Sequence, residues 1–378
     1  MKYMGSKRSM LTNGLGEALS ASIPSSHRFF DLFTGSGAVA AHVAQRYQVP
    51  VFAYDLQSYA VGLAGAVVER GSTTHADRWT LPWIAKAAAT VTASPIYSRA
   101  AAIQEAITSQ GDHALATRAR ELCAQAPALS LTKAYGGYYF SPLQALVLDG
   151  LRSTLPKGEA RSKVALAALI QTASHIAASP GHTAQPFAAT ATAGPYLIEA
   201  WQRDALRAVN NFTRKIDPMF ALLKGESRVC DATQAAARLS DGDLAFLDPP
   251  YSSVHYSRFY HVLESLARGE VGDVSGSGRY PEIRQRPSSD YSTPTRARAA
   301  IEDLFSAIAS RGASAIVTFP AGTASNGLSG DIMKDVADEH FQIVEAKVTS
   351  RFSTLGGDRK HREARQDTSE LILTLTPR

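Results

Sequence analysis

One stretch decides the fold of this chain: Leu244-Ala245-Phe246-Leu247-Asp248-Pro249-Pro250-Tyr251. Four small or apolar residues lead into an acid, two prolines and an aromatic ring. An unbroken apolar run bounded by proline predicts a short strand of a parallel sheet that is covered on both faces. Because proline cannot continue a ladder of hydrogen bonds, the strand must stop at Asp248. The sequence therefore predicts a carboxylate and a ring at the carboxyl end of a parallel strand, where open α/β sheets bind their ligands.

The same corner has the groups that methyl transfer to an exocyclic amine requires. Such an amine is a poor nucleophile because its lone pair is delocalised into the heterocycle. Hydrogen-bond acceptors on its two N–H groups, here the Asp248 carboxylate and the Pro249 carbonyl, would draw the nitrogen towards tetrahedral geometry and free the lone pair. Pro250 helps to hold these acceptors in place, and Tyr251 would stack on the base. The alternative is an ordinary strand end followed by a Pro-Pro turn and a surface tyrosine.

The composition indicates a globular protein with a mild preference for polyanions. A chain of 378 residues is long enough for two domains, and 45% hydrophobic with 19% charged residues excludes a disordered chain. The net charge of +5 and the pI of about 9.1 favour a polyanion as partner. Cys123 and Cys230 lack metal-ligand spacing and are predicted to be free thiols. No apolar run approaches the roughly 20 residues of a membrane span, so we expect a cytoplasmic protein without a membrane partner.

The N-terminal part of the chain has the pattern of a nucleotide-binding βαβ unit. Arg28 to Phe33 predicts a strand, Thr34-Gly35-Ser36-Gly37 a tight loop and Ala38 to Tyr47 a helix. Val51 to Asp55 follows as a second strand that ends in an acid, about 20 residues after the glycines, where it can accept hydrogen bonds from ribose hydroxyls. Position 40 is alanine where the dinucleotide fingerprint has its third glycine. This difference favours an adenosyl ligand without a pyrophosphate.

The alternation of strand and helix stops after residue 57 and resumes near residue 226. Residues 58–225 are rich in alanine with helical spacing, which predicts a mainly helical insert. Within it, Tyr138 and Tyr139 lie in a run of aromatics and glycines that suits base stacking. Further strands are predicted at the positions Arg228 to Asp231, Ala313 to Phe319, Phe341 to Thr349 and Glu370 to Leu375. The prediction is an α/β fold with a seven-stranded sheet, built from residues 1–57 and 226–378.

Two basic stretches lie in loops that are predicted to be near the active edge of the sheet. The loop Ser350 to Thr368, between the last two strands, carries Arg351, Arg359 and Lys360 among its cations. The stretch Arg279 to Arg298 includes Arg284 and Arg286. Such clusters are often only solvated faces. Beside a predicted ligand edge, contact with DNA phosphates is the favoured interpretation.

Taken together, these motifs resemble the Dam-like (D12 class) DNA adenine-N6 methyltransferases, and they occur in the order found in that family. The resemblance rests on motifs at both ends of the chain: Lys2-Tyr3-Met4-Gly5-Ser6-Lys7, Asp31-Leu32-Phe33-Thr34-Gly35-Ser36-Gly37, Asp55, Asp231 and Asp248-Pro249-Pro250-Tyr251. Tyr256 to His261, which includes Arg258, is similar to a segment of larger family members. The second glycine that is usual in the N-terminal motif is Ser6 here.

The resemblance implies the fold and the roles of these residues. It implies a Rossmann-like methyltransferase sheet with residues 58–225 as the target-recognition domain. It implies S-adenosylmethionine contacts at Tyr3, Lys7, Asp55 and Asp248, with the glycine loop (Asp31, Phe33, Gly35 and Gly37) under the methionine part and Asp231 near the adenine. Catalysis would fall to Asp248, Pro249, Pro250 and Tyr251.

We therefore expect a site-specific enzyme that flips an adenine out of duplex DNA and methylates N6 without a metal ion. A cognate restriction or phage-defence partner is compatible with this expectation. Three alternatives stay open at this point. The enzyme could methylate cytosine N4 by the same amine chemistry, or it could act on RNA or another planar amine. The chain could also be a non-catalytic DNA-binding protein on the same fold.

Overall fold

The structure, a computed structural model, describes residues 7–128, 130–351 and 367–378. They form two compact units. The sheet unit comprises the described residues up to Ser72 together with Met219–Tyr256 and Pro287–Arg378. The helical unit comprises Thr73–Pro218 and Ser257–Arg286. The described helices are α1 (Leu15–Ser22), α2 (Ala38–Arg46), α3 (Ser58–Val68), α4 (Ala76–Thr92), α5 (Tyr97–Gln110), α6 (Leu115–Cys123), α7 (Leu131–Tyr135), α8 (Pro142–Ser153), α9 (Glu159–Ile176), α10 (Gly194–Trp201), α11 (Ala205–Ile216), α12 (Ala232–Ala236), α13 (Tyr256–Arg268), α14 (Ala297–Ala309) and α15 (Gly330–Asp338).

A seven-stranded sheet organises the sheet unit, as the sequence predicts. The described strands are β1 (Phe29–Asp31), β2 (Val51–Asp55), β3 (Glu226–Val229), β4 (Leu244–Leu247), β5 (Val274–Ser275), β6 (Tyr280–Pro281), β7 (Ser314–Pro320), β8 (Phe341–Arg351) and β9 (Asp367–Pro377). The sheet has the order β3-β2-β1-β4-β7-β9-β8. The first five strands of this order are parallel, and β9 runs antiparallel to both β7 and β8. The predicted hairpin of the last two strands is thereby confirmed.

The strand directions bring several acidic residues to one edge of the sheet. Asp31 ends β1, Asp55 ends β2 and Asp248 directly follows β4. The carboxyl ends of parallel strands meet at the same edge. β9 runs the opposite way and pairs Glu370 with Pro320 at the end of β7. The beginning of β9 therefore reaches the same edge as the ends of the parallel strands.

Both faces of the sheet are covered, which explains why β4 is apolar throughout. Successive side chains of a strand point to opposite faces. Phe29 packs into a core with Leu15 of α1 and Val39 of α2. Phe30 packs into a second core with Phe305 of α14. All four residues of β4 are buried between these layers.

The helical unit packs α4, α8, α9 and α11 against one another. The Trp83 indole of α4 donates to the Leu151 carbonyl of α8 at 3.2 Å. The alanine-rich helical spacing of the insert also predicts one helical segment from Ala200 to Phe212. This prediction is wrong, because α10 ends at Trp201 and Asp204 begins α11. The Asp204 carboxylate accepts the Arg207 backbone N–H at 3.0 Å, an N-cap that interrupts the alanine-rich pattern.

The helical unit also contains a two-stranded antiparallel ribbon of β5 and β6, which was not predicted from the sequence. Strands of two residues are too short to show a periodic pattern. Within the described ranges, the helices include none with both the length and the apolar character needed to cross a bilayer.

Candidate active site

The glycine loop closes a tight turn between β1 and α2. Gly35 and Gly37 have φ values of 50° and 71°, in the left-handed region that favours glycine. Gly37 also begins α2, and a Cβ atom there would lie 3.3 Å from the Ala64 backbone nitrogen. The loop therefore requires glycine both for its dihedral angles and for its packing against α3.

Asp55 joins the glycine loop to the end of β2. Its Oδ2 accepts the Gly35 backbone N–H at 2.8 Å, and its Oδ1 accepts the Gln57 backbone N–H at 2.9 Å. Asp55, the acid predicted to bind ribose hydroxyls, therefore lies directly beside the glycine loop, which is predicted to bind an adenosyl ligand without a pyrophosphate.

A buried lysine holds the carboxylate after β4. Lys7 Nζ lies 3.0 Å from Asp248 Oδ1 and 3.3 Å from Glu370 Oε2, and only 4% of the lysine side chain is exposed. Burial alone lowers the pKa of Lys7, but the carboxylates of Asp248 and Glu370 offset this effect and raise the pKa overall. Lys7 is therefore a permanent cation at the sheet edge.

The contacts of Asp248 are confined to one of its two oxygens. Oδ1 faces Lys7 and also accepts the Thr318 hydroxyl at 3.1 Å. Among the described residues no donor reaches Oδ2, nor the carbonyl of the next residue, Pro249. Burial raises the pKa of Asp248 to about 6, although the Lys7 ammonium acts in the opposite direction. The corner thus presents two unused acceptors on adjacent residues.

Asp31 is the third carboxylate at this edge and has the least solvent contact. Its side chain is 1% exposed, and its Oδ1 has no hydrogen-bond partner in the described part of the chain. Burial raises the pKa of Asp31 to about 8, and the charges of Asp248 and Asp55 add to this effect. A buried carboxyl oxygen without a partner is costly, and a cationic or hydrogen-bond-donating ligand would relieve that cost.

The Pro-Pro-Tyr loop is held by a buried amide. Asn326 is 0% exposed, and its Nδ2 donates to the carbonyls of Pro250 at 2.7 Å and Tyr291 at 2.9 Å. The Tyr251 ring stands edge-on to Tyr256, with centroids 6.4 Å apart, and Lys7 Nζ lies 5.9 Å from the Tyr251 centroid. Backbone and ring of the loop are therefore both fixed.

Phe33 and Asp231 are joined through a buried tyrosine. The Phe33 ring meets Tyr291 edge-to-face at a centroid distance of 5.0 Å. The Tyr291 hydroxyl is 2.7 Å from Thr233 Oγ1, and Asp231 Oδ1 accepts the Thr233 backbone N–H at 2.9 Å. Asp231 thereby caps α12 and lies at the same end of the sheet as the glycine loop.

Comparison with known proteins identifies the family of this chain. Residues 3–313 match the family model of the D12 class N6 adenine-specific DNA methyltransferases. The chain belongs to this family. The predicted family and the predicted α/β methyltransferase fold are thereby confirmed.

Two relatives with curated names are modification methylases. The chain is similar to Modification methylase LlaI of Lactococcus lactis subsp. lactis, with 27% identity over 175 residues, which cover 44% of this chain and 26% of that protein. It is also similar to Modification methylase StsI of Streptococcus sanguinis, with 23% identity over 313 residues, which cover 80% of this chain and 42% of that protein. The chain thus spans less than half the length of either relative.

The residues that the sequence suggests for DNA contact within this family member have very different surroundings. Tyr139 is 0% exposed, and its hydroxyl donates to the carbonyls of Thr183 at 2.6 Å and Gly278 at 2.9 Å. A ring so enclosed cannot stack on a base, and the structure corrects this assignment. Tyr138 is partly buried beneath guanidinium groups.

Three arginines proposed for DNA contact lie in the helical unit. The guanidinium carbons of Arg258 and Arg286 lie 4.9 and 5.5 Å from the Tyr280 ring centroid. Arg284 is 82% exposed and pairs with Glu282 at 2.6 Å. Two further predicted DNA contacts, Arg359 and Lys360, lie outside the described residues, and of Arg351 only the strand position is described. The predicted cofactor contact Tyr3 also lies outside them.

Four residues of the site are absent from the sequence predictions: Thr318, Glu370, Asn326 and Tyr291. Thr318 and Glu370 lie on strands that the sequence predicts, but their position beside Asp248 depends on the order of the strands. Asn326 lies in a loop of small residues that carries no motif. Tyr291 sits in a basic stretch expected at the surface, yet it is 2% exposed. In the described ranges, no three His, Cys, Asp or Glu side chains group as metal ligands.

Proposed function

We propose that this chain is a site-specific DNA methyltransferase that transfers a methyl group from S-adenosylmethionine to N6 of an adenine flipped out of duplex DNA. The observation that carries this proposal is the pair of unused acceptors at Asp248 Oδ2 and the Pro249 carbonyl. One carboxylate oxygen and one neighbouring carbonyl match the two N–H groups of a single amino group. Family membership selects adenine N6 over cytosine N4 among amines of this kind.

The residues at the sheet edge fit S-adenosylmethionine. The unpartnered, buried Asp31 Oδ1 suits the ammonium group of the methionine part. The glycine loop, including Phe33, gives a ligand close access to the backbone, and we assign Asp55, at the end of β2, to the ribose hydroxyls. We assign Asp231 to the region of the adenine, and Tyr3 and Lys7 to the contacts that the family resemblance implies.

When bound, S-adenosylmethionine supplies an electrophilic methyl group on a sulfonium sulfur. The protein prepares the attacking nitrogen. Asp248 Oδ2 and the Pro249 carbonyl accept its two N–H hydrogens, while Lys7 and Thr318 fix Asp248 through Oδ1. Transfer to this nitrogen would break the bond between the methyl carbon and the sulfur, leave the sulfur uncharged and require the nitrogen to lose one proton. The pKa of Asp248, raised to about 6 by burial, lets this carboxylate take the proton transiently.

Access to this site requires the adenine to leave the helix. The target nitrogen is paired inside duplex DNA, and enzymes that modify bases extrude them into a pocket. We assign Tyr251 as the ring that stacks on the extruded base, because its own position is fixed by Tyr256 and the Asn326-anchored loop. Pro250 contributes the carbonyl through which Asn326 holds that loop.

We further propose double-stranded DNA as the partner, with target recognition in the inserted residues 58–225. Both named relatives are modification methylases, which fits a chain that protects DNA beside a cognate restriction enzyme. A DNA substrate also agrees with the cytoplasmic location expected from the sequence.

Replacement of Asp248 tests the proposal. The substrates are tritiated S-adenosylmethionine and a mixed-sequence plasmid. Asp248→Asn should lower the rate of methyl transfer by about 100-fold or more, because an NH2 group that can only donate replaces one of the two carboxylate oxygens. Binding of the cofactor, followed by calorimetry, should weaken but persist. Asp241→Asn, an exposed change of the same chemistry, should leave the rate unchanged. Near-normal turnover of Asp248→Asn would contradict the assignment.

A further inference from the structure

Two arginines of the helical unit surround the ring of Tyr138. The guanidinium carbon of Arg120 lies 4.5 Å from the ring centroid, and that of Arg279 lies 4.7 Å from it. Arg120 belongs to α6, and Arg279 lies in the turn between β5 and β6. Residues far apart in sequence thus place two positive charges at one aromatic ring.

Both guanidinium groups are fixed in the same way. Arg120 Nε donates to the Gly137 carbonyl at 3.0 Å, and Arg279 Nε donates to the Ala134 carbonyl at 2.9 Å. In the described structure, neither arginine has a carboxylate within 4.0 Å, and their Nη atoms make no hydrogen bond. Each arginine therefore keeps its Nη edge, the part that grips a phosphate in bidentate fashion, without a partner.

The backbone accepts strain to build this arrangement. Arg279 has a φ of 53°, in the left-handed region that side chains other than those of asparagine and aspartate seldom adopt. Gly137, with a φ of 75°, leaves no room for a Cβ atom, which would lie 2.7 Å from the Arg120 backbone nitrogen. Strained residues of this kind concentrate at functional sites.

The turn that carries Arg279 is anchored from below. The carbonyl of Gly278 accepts the Tyr139 hydroxyl at 2.9 Å and lies 2.9 Å from His261 Nε2. Tyr139 and His261 are both buried, and burial lowers the pKa of His261 to about 4, so its ring adds no charge near neutral pH. The buried tyrosine therefore positions the turn that carries Arg279.

We propose that Arg120 and Arg279 form an anion site that binds a phosphodiester group of the DNA backbone, with Tyr138 as the platform for both guanidinium groups. Neither guanidinium group has a carboxylate partner among the described residues, and a bound anion would supply the missing counter-charge. The planar Nη edges match phosphate oxygens. This inference rests on the proposed function for its choice of DNA, but it concerns residues of the helical unit that have no part in the chemistry.

The salt dependence of DNA binding tests the anion site. Backbone contacts are independent of sequence, so a fluorescein-labelled duplex of arbitrary sequence serves as the probe, without cofactor. The logarithm of the DNA-binding constant falls linearly with the logarithm of the salt concentration. The magnitude of this slope should be smaller by about one unit in Arg120→Gln and in Arg279→Gln, and by about two units in the double variant. Arg279→Lys, which keeps the charge, should retain most of the slope.

The control is Lys334→Gln, which removes one positive charge that already pairs with Asp331 at 3.0 Å. Its slope should equal that of the full chain. Wild-type slopes in both glutamine variants, with their fold confirmed by circular dichroism, would overturn the anion site. So would an equal loss in Lys334→Gln, or an absence of DNA binding by the unaltered chain. Competition by millimolar inorganic phosphate as effective as that by duplex would identify a free-phosphate site and overturn the DNA assignment.

The same experiment separates the two proposals. Because binding is measured without cofactor, a chain that binds DNA with the expected slopes but transfers no methyl group contradicts the proposed function alone. A chain that methylates DNA with unchanged slopes in the variants contradicts the anion site alone.

Discussion

At the scale of single residues, the candidate site is a set of carboxylates held in unequal surroundings. Asp55 accepts two backbone N–H groups, Asp248 faces a lysine, and Asp31 is buried with an unpartnered oxygen. Burial raises the pKa of Asp31 further than that of Asp248, so these two acids hold their protons with different affinities. Such differences allow neighbouring carboxylates to take different roles.

The stability of the protein should carry the signature of Asp31. Its pKa rises from an ordinary value of 3.8 to about 8, so the folded chain keeps a proton that the unfolded chain has lost. The stabilisation from this proton is complete below about pH 4 and is lost as the pH rises through about 8. Asp31→Asn has no such proton to lose. Its melting temperature should exceed that of the wild type by a few degrees at pH 8, and the advantage should shrink towards pH 5.

Differential scanning fluorimetry across this pH range measures the effect. In Asp338→Asn, at an exposed carboxylate that pairs with Arg378, the melting temperature should vary with pH in parallel with that of the wild type. A parallel curve for Asp31→Asn would show that Asp31 is ionised in the folded chain. Cofactor affinity should fall in Asp31→Asn even as stability rises, because the amide offers weaker attraction to an ammonium group.

Catalysis should depend on the ionisation of Asp248. Oδ1 of Asp248 already accepts from Lys7 and Thr318, so a proton on this carboxyl would sit on Oδ2 and turn that acceptor into a donor. Burial raises the pKa of Asp248 to about 6. We therefore expect kcat/KM to fall about tenfold per pH unit below pH 6 and to level off above it. Steady-state rates in a constant-ionic-strength buffer series measure the profile. A flat profile down to pH 5 would show that Asp248 does not act as an ionised acceptor.

At the scale of elements, the Pro-Pro-Tyr loop depends on Asn326. In Asn326→Leu, the carbonyls of Pro250 and Tyr291 lose their shared donor, and each buried acceptor left unpaired costs about 1–3 kcal/mol. We expect a loss of about 2–4 kcal/mol in urea unfolding, together with a lower kcat. The control is Ser325→Ala, whose hydroxyl accepts only the exposed Ser253 N–H at 3.0 Å and should cost less than about 1 kcal/mol. Unchanged stability and kcat in Asn326→Leu would show that the loop holds itself.

The strands of the sheet could be predicted because each has a strong local signal. The apolar run before Pro249 and the strand–glycine–helix pattern at Phe30 depend only on neighbouring residues. The partners of Lys7 could not be predicted in this way. Glu370 meets Lys7 because β9 inserts antiparallel between β7 and β8, and that order follows from packing over the whole sheet.

In the helical unit, local sequence patterns predict the helices but not their ends or their long-range contacts. Alanine-rich periodicity predicts helices but not their ends, so the break before Asp204 went unpredicted. Ser141 and Gln144 do form a capping box at the start of α8, a signal that was present in the sequence. The burial of Tyr139 depends on the turn at Gly278, more than a hundred residues away, and no local pattern encodes it.

At the scale of the whole molecule, the chain joins a methyltransferase sheet unit to a helical unit with uncompensated arginines. Its net charge of +5 is small, so its attraction to DNA must come from where the cations lie rather than from their number. The candidate chemistry lies in one unit and the proposed phosphate contacts of Arg120 and Arg279 lie in the other. Variants of the two sets should therefore separate catalysis from binding.

Nucleoside mass spectrometry tests the central claim most directly. Unmethylated plasmid DNA is incubated with the chain and S-adenosylmethionine, digested to nucleosides and compared with a reaction of Asp248→Asn. The account predicts N6-methyladenine from the wild type and little or none from the variant. N4-methylcytosine in its place, equal yields from both proteins, or no methylated base in DNA at all would contradict it.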